Sequence, residues 1–175
     1  SIDQAPRRIL HMWQTCGHAE KFSKEGLNAE LLETTPCLGF LVAGNRRLAS
    51  NTITFKRFPG GNLNLFGANA PGELRRAKGN LLIADEIDAY EKTETDEGEI
   101  LDIFNKRGSE YPDTIRIKAS YPSIKGVSRI QSLLDTSDYH EWWVTCVLCG
   151  GEPFVMHRKQ LRYEVGKPET ARLEC

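Results

Sequence analysis

The run Leu81-Leu82-Ile83-Ala84-Asp85-Glu86-Ile87-Asp88 constrains this chain most. A short apolar stretch ends in three carboxylates within four residues. The apolar part reads as a strand buried on both faces, as in a parallel sheet. The acids then fall at the strand's carboxyl end, where open α/β sheets bind ligands. Carboxylates crowded there repel one another unless a cation or a polar partner compensates. A nucleotide-bound Mg²⁺ is a common reason to set two acids side by side. Asp85 would hold the ion, through water, and Glu86 would act on the attacking water. Asp88 is better placed to cap the next turn or to accept from backbone amides. The plainer reading of the whole segment is a strand ending in a solvated acidic turn.

The 175 residues suffice for one domain with a core, or for one domain and a small module. A net charge of −1 sets up no global field that would attract nucleic acid. DNA contacts would need local patches such as Arg7-Arg8, Arg46-Arg47, or Arg75-Arg76 with Lys78. Each of these is also an ordinary solvated surface. No stretch approaches the roughly 20 apolar residues that span a bilayer, and the first residues do not resemble a signal peptide. Five cysteines, an odd number, argue against a fully paired disulfide framework and for metal binding in a reducing compartment.

Along the chain, the first fifty residues read as mixed helix and loop, with a helix over Glu20 to Leu32. Alternation over Asn51 to Phe58 predicts a half-buried strand. Pro59-Gly60-Gly61-Asn62 turns the chain into a second strand, Leu63 to Phe66, which either closes a hairpin or joins the main sheet. A short helix, Gly72 to Lys78, follows Pro71. The acid-ended strand comes next, then an exposed acidic loop over residues 91–99. An amphipathic helix carries Ile100, Leu101, Ile103 and Phe104 and stops near Gly108. Thr114 to Ala119 predicts another strand, and Val127 to Leu134 a helix. Alternating strands and helices from about residue 63 to 135 argue for crossovers and a largely parallel sheet.

Two further constellations carry chemistry. Ser120-Tyr121-Pro122-Ser123 lies one crossover after the acids. A small hydroxyl there can sense a terminal phosphate and relay its loss, with Lys125-Gly126 and Arg129 close behind. Its plain reading is a turn. Cys146-Val147-Leu148-Cys149-Gly150 has the spacing of a zinc knuckle, in which Gly permits a tight turn beneath the thiolates. Cys175 is a natural third ligand and His157 the alternative. A redox dithiol is the competing reading, but that motif opens a helix, whereas an aromatic strand around Trp142 and Trp143 precedes this one. Cys16 and Cys37 read as buried apolar residues. No Gly-x-x-x-x-Gly-Lys-Ser/Thr loop occurs. In P-loop folds that loop lies upstream of the acid-ended strand, so the chain is expected to be a fragment beginning after it.

Taken in order, these motifs resemble the large terminase subunit of tailed bacteriophages, in the lambda-type GpA family. Asn51 to Phe58 is similar to the family's strand after its first helical segment. Gly67-Ala68-Asn69-Ala70-Pro71 with Leu74-Arg75 resembles its glycine-alanine-asparagine turn and arginine. Asp85-Glu86-Ile87-Asp88-Ala89-Tyr90 resembles its Walker B motif, and Glu97-Gly98 with Lys106-Arg107 its following helix. Ser120-Tyr121-Pro122 with Lys125-Gly126 and Ser128-Arg129-Ile130 resembles its coupling motif, although Tyr121 stands where Thr is usual. Cys146, Cys149 and Gly150 resemble its zinc-binding insertion.

The resemblance implies an α/β fold: a partial P-loop (ASCE-type) parallel-sheet ATPase domain over residues 1–138, lacking Walker A. An incomplete zinc-ribbon-like module would follow over residues 139–175. It implies Asp85 and Glu86 as catalytic acids with Mg²⁺ at Asp85. Ser120 and Arg129 would serve coupling and phosphate sensing, Arg75 would be an arginine contact, and Cys146, Cys149 and Cys175 would bind zinc. The implied activity is ATP-driven packaging of double-stranded DNA into procapsids, with an endonuclease in a separate C-terminal domain. Implied partners are DNA, the small terminase subunit, the portal and further copies of the subunit, in the host cytoplasm and without a membrane. The isolated chain is expected to hydrolyse ATP poorly. Two other readings stay open: another ATP-driven translocase or helicase, and a non-enzymatic zinc-ribbon module that binds nucleic acid.

Overall fold

The structure, a computed structural model, describes residues 4–43, 51–91, 94–95, 98–141, 143–155 and 157–174. Contacts divide the chain into two compact units, Ser1–Ser132 and Leu133–Cys175.

The first unit is built on a five-stranded sheet. Its strands are β1 (Arg8–Trp13), β2 (Phe55–Phe58), β3 (Gly61–Gly67), β4 (Leu81–Asp85) and, later in the chain, Ile115–Ala119. Between the last two, β5 (Glu94–Thr95) and β6 (Gly98–Glu99) pair antiparallel as a separate ribbon, so the sheet's last strand is β7. The order is β2-β3-β1-β4-β7. β1 runs parallel to β3 and β4, and β4 parallel to β7; only the β2–β3 hairpin is antiparallel. The sheet is thus mixed but mostly parallel. The second expected strand does both things open to it, closing a hairpin and joining the sheet.

The centre of the sheet corrects the reading of the first fifty residues as helix and loop, because β1 lies between β3 and β4. Arg-Ile-Leu-His-Met-Trp shows no alternation, since both of its faces are covered. Ile9 belongs to one apolar core and Leu10 and Met12 to the other. A buried parallel strand hides its period in this way.

Helices cover both faces. α1 (Cys16–Lys21) starts behind Thr15, whose hydroxyl accepts from the His18 amide and caps the helix. From Phe22 to Leu32 the winding becomes π-type, with Glu33 N donating to Asn28 O five residues back. The expected helix from Glu20 therefore begins earlier and is not α-helical over most of its length. With α2 (Pro36–Ala43) it packs Ala19, Leu27 and Val42 against Ile9, Leu63, Leu65 and Leu81. On the opposite face, α3 (Pro71–Leu74) and α4 (Ile100–Lys106) set Leu74, Ile100 and Phe104 on Leu10, Leu82 and Ala84. α3 is a single turn, shorter than the Gly72 to Lys78 expectation. α5 (Arg129–Asp135) follows the polar segment after β7. β7 borders the sheet, and Ile115 and Ile117 on it are each 46% exposed.

A clasp at the amino end of the sheet fixes register. Asn80 Oδ1 accepts from Arg8 N at 3.1 Å, and Arg7 pairs with Asp113 at 2.8 Å. Arg8 also reaches the Tyr111 hydroxyl, and Lys78 pairs with Glu110. Three basic side chains considered for DNA are therefore engaged in structural contacts. Arg46-Arg47 lies outside the described residues.

The second unit has two hairpins. β8 (Trp143–Val144) pairs with β9 (Phe154–Val155), and β10 (Leu161–Glu164) with β11 (Lys167–Leu173). Trp143 is 59% exposed. Trp142 and Cys175 lie outside the described residues. Among the described residues no helix is long and apolar enough to cross a membrane.

Candidate active site

Parallel pairing places the carboxyl ends of β3, β1, β4 and β7 along one rim. Asp85 is the last residue of β4, paired in register with Ala119 of β7, so Ser120 is the next residue beyond that pair. Glu86 follows in a left-handed conformation (φ 54°, ψ 45°) and is exposed. Few non-glycine residues adopt that conformation, because Cβ crowds the following carbonyl. One hydrogen bond supports it: Glu86 N donates to Asp85 Oδ1 at 3.0 Å. The second acid is thereby turned out of the strand direction while the first remains in it.

A 3₁₀ turn, Ile87–Ala89, then buries Ile87 under the sheet. Tyr90 closes it. Its hydroxyl donates to Met12 O at 2.9 Å, tying the acidic turn to the end of β1. Burial first, then the charge of Asp85, push the Tyr90 phenol well above its ordinary range, so it stays a neutral donor.

Asp88 caps the facing segment, as a carboxylate after a strand end is suited to do. Asp88 Oδ2 accepts from Ser123 N and Oδ1 from Ile130 N, each at 2.9 Å. Desolvation pushes its carboxyl up, but hydrogen bonds from Ser128, Ile130 and Ser123 outweigh that and hold it well below the usual carboxylate range. Asp88 N donates to Ser120 Oγ at 3.1 Å, and Ser120 Oγ donates to Tyr121 O. The structure therefore brings Ser120 onto the acidic turn.

Arg129 also converges there. Its Nη1 donates to Ile87 O and Tyr90 O at 3.1 and 2.8 Å, and its Nε pairs with Glu99 at 2.6 Å. Only 15% of its side chain is exposed. Arg75 instead sits at the end of α3, where its carbonyl accepts from Arg107 at 2.9 Å.

Along the rest of the rim the sequence pointed to the Gly67-Ala68-Asn69 turn but not to Gln14, Thr15 or Glu91. Gln14, Thr15, Ala68, Asn69 and Glu91 line a cavity of about 190 Å³. Gly67 ends β3 so close to the start of α1 that a Cβ would lie 2.1 Å from Cys16 N, which only glycine accommodates. Asn69 Oδ1 accepts from that same amide at 3.1 Å. His11 packs in a three-ring cluster with Trp13 and Phe22, tilted on the first and edge-on to the second, with ring centroids 4.8 and 5.2 Å away. Burial lowers its pKa to about 4, with the charge of Asp85 opposing, so it is neutral at pH 7. A polar residue inside an otherwise apolar run was the signal available for His11.

In the second unit, Gly150 N donates to Cys146 O at 2.9 Å and Gly150 takes φ 61°, closing a tight turn around Cys146 and Cys149. That backbone suits a knuckle. Among the described residues, however, no three His, Cys, Asp or Glu side chains gather as a metal site, His157 included. Cys37 is exposed and Cys16 half-buried, so neither is the buried apolar cysteine expected. The donors at Asp85 and Glu86 are hard oxygens, the type that suits Mg²⁺.

A mixed α/β unit around a mostly parallel sheet, with paired acids at the carboxyl rim, has the layout of an ATPase domain. The family model of the phage terminase large subunit gpA ATPase domain matches residues 1–175, and the chain belongs to that family. It is 27% identical over 183 residues to the large terminase subunit of Enterobacteria phage P21, covering 99% of this chain and 28% of that protein. It is 27% identical over 158 residues to that of Escherichia phage lambda, covering 88% of this chain and 24% of that protein. The chain thus spans about a quarter of the length of the curated relatives it matches.

Proposed function

We propose that this chain is the hydrolytic part of a DNA-packaging motor, in which Asp85 and Glu86 act on a magnesium-bound triphosphate. One observation carries the reading: both acids stand at the carboxyl end of β4, and the hydroxyl of Ser120, just past the end of the neighbouring strand β7, bonds the same turn. Asp85 would hold the ion, which would neutralise phosphate charge and relieve the repulsion between the acids. Glu86, turned outward by its backbone, orients the attacking water and takes its proton. Ser120 couples the state of this turn to the segment that follows β7. Arg75 is a candidate contact to phosphate or DNA.

No Gly-x-x-x-x-Gly-Lys-Ser/Thr loop occurs among these 175 residues to cradle the phosphates. The motor part runs over residues 1–138 and the zinc-ribbon-like part over 139–175. There Cys146 and Cys149, with Cys175, would hold zinc, which would brace the fold rather than react. Double-stranded DNA is the cargo, the small terminase subunit and the procapsid portal are partners, and several copies work together in the host cytoplasm. Cleavage belongs to a separate endonuclease domain.

The test is ATP turnover by the intact subunit carrying Glu86→Gln. Loss of the base predicts a fall of roughly 10²–10⁴-fold in kcat with nucleotide binding retained. Turnover at the unsubstituted rate would refute the assignment.

A further inference from the structure

The segment from Ser120 to Ile130 is held mainly by polar bonds, with half-buried Ile130 at its end packed against the core. Residues 121–127 are all exposed, Tyr121 at 87% and Ile124 at 71%. The segment's deepest anchor is the small polar side chain of Ser128. Its fixed points are its bonds to the acidic turn, and these run both ways. From the turn, the Asp88 carboxylate reaches the amides of Ser123 and Ile130. From the segment, Arg129 reaches back to the carbonyls of Ile87 and Tyr90 and braces on Glu99 at the start of α4.

We infer that Asp88 and Arg129 form a reciprocal clasp of two positioning residues, which fixes the angle at which Asp85 and Glu86 are presented and makes the acids and segment 120–130 move as one unit. Three acceptors engage Nε and Nη1 of Arg129, which orients the turn through these two nitrogens, while its buried Nη2 has no hydrogen-bond partner among the described residues. The Asp88 carboxylate is engaged in the same way and does not contribute to the metal. Parts tied by a few directional bonds and little buried apolar surface open at low cost. Release of the clasp would free residues 121–127, which are all exposed. This inference rests on the reading of Asp85 and Glu86 as the hydrolytic acids.

The experiment is steady-state ATP turnover by the intact subunit with Asp88→Ala, Asp88→Asn, Arg129→Gln, and the Asp88→Ala/Arg129→Gln double variant. Glu86→Gln serves as the control, and the thermal midpoint is measured for each protein. Asp88→Ala and Arg129→Gln should each lower kcat at least tenfold while KM for ATP stays within about twofold. Asp88→Asn keeps one acceptor oxygen and should recover part of the loss; should the alanine variant fail to fold, the asparagine variant decides the matter with a partial kcat defect. The double variant should be no worse than the poorer single, because either change opens the same clasp. The inference is overturned by kcat within twofold of normal in both single variants, by losses that multiply in the double, or by a raised KM with kcat intact, which would mark phosphate contact. Normal turnover in Glu86→Gln would overturn the functional reading instead and leave the clasp as a purely structural feature.

Discussion

Replacing Glu86 by Gly and by Ala isolates the strain at the acidic turn. Glu86 has φ 54° and ψ 45°. An L-residue there costs roughly 1–2 kcal/mol, because Cβ approaches the next carbonyl. Glycine has no Cβ and escapes that cost, but it loses more chain entropy on folding, about 0.5–1 kcal/mol relative to alanine. The balance favours glycine over alanine by about 0.5–1 kcal/mol at this position. At an ordinary site the same comparison favours alanine by a similar amount. Both variants lack the Glu86 side chain, so its lost contacts cancel in the difference. The Glu86 amide still donates to Asp85 in each. Urea unfolding of the chain followed by circular dichroism reads the difference directly. In thermal unfolding it corresponds to a few degrees for a chain of this size, at about 2–4 °C per kcal/mol. An alanine variant as stable as the glycine variant, or more so, would refute the argument that the acid is held in an unfavourable backbone state.

Because burial lowers the His11 pKa from 6.5 to about 4, the unfolded chain takes up the proton first as pH falls. His11 therefore contributes stability above pH 6.5 that is lost progressively down to about pH 4, by up to about 3 kcal/mol. His11→Phe should be measurably less acid-sensitive between those values in urea unfolding at several pH values, and an unchanged pH dependence would count against the burial of the ring. For the second unit, zinc measured by elemental analysis of the intact subunit should fall to background in Cys146→Ser. Full zinc content in that variant would remove the knuckle assignment.

How much the sequence disclosed depended on whether a segment's surroundings show in its own pattern. β4 was legible because an apolar run cut off by acids has one natural place, a buried strand ending at a rim. The turn role of Asp88 was legible because a carboxylate just past a strand end has nearby amides to accept from. β1 was not, since a short strand covered on both faces carries no alternation, and its neighbours β3 and β4 come dozens of residues later. The π winding over Phe22–Leu32 leaves no mark that separates it from an α-helical pattern. The role of Arg129 also depended on long-range contacts. Beside Ser120 and Lys125 it suggests phosphate binding. Only the fold reveals that its guanidinium is engaged by carbonyls some 40 residues earlier in the chain.

In the function proposed, Asp85 holds a divalent ion beside a nucleotide at the end of β4. Electron paramagnetic resonance of Mn²⁺ bound to the intact subunit with a non-hydrolysable ATP analogue tests it most directly. Nucleotide-dependent Mn²⁺ binding that weakens at least tenfold in Asp85→Asn is the result expected. Binding of equal affinity in that variant would contradict the account.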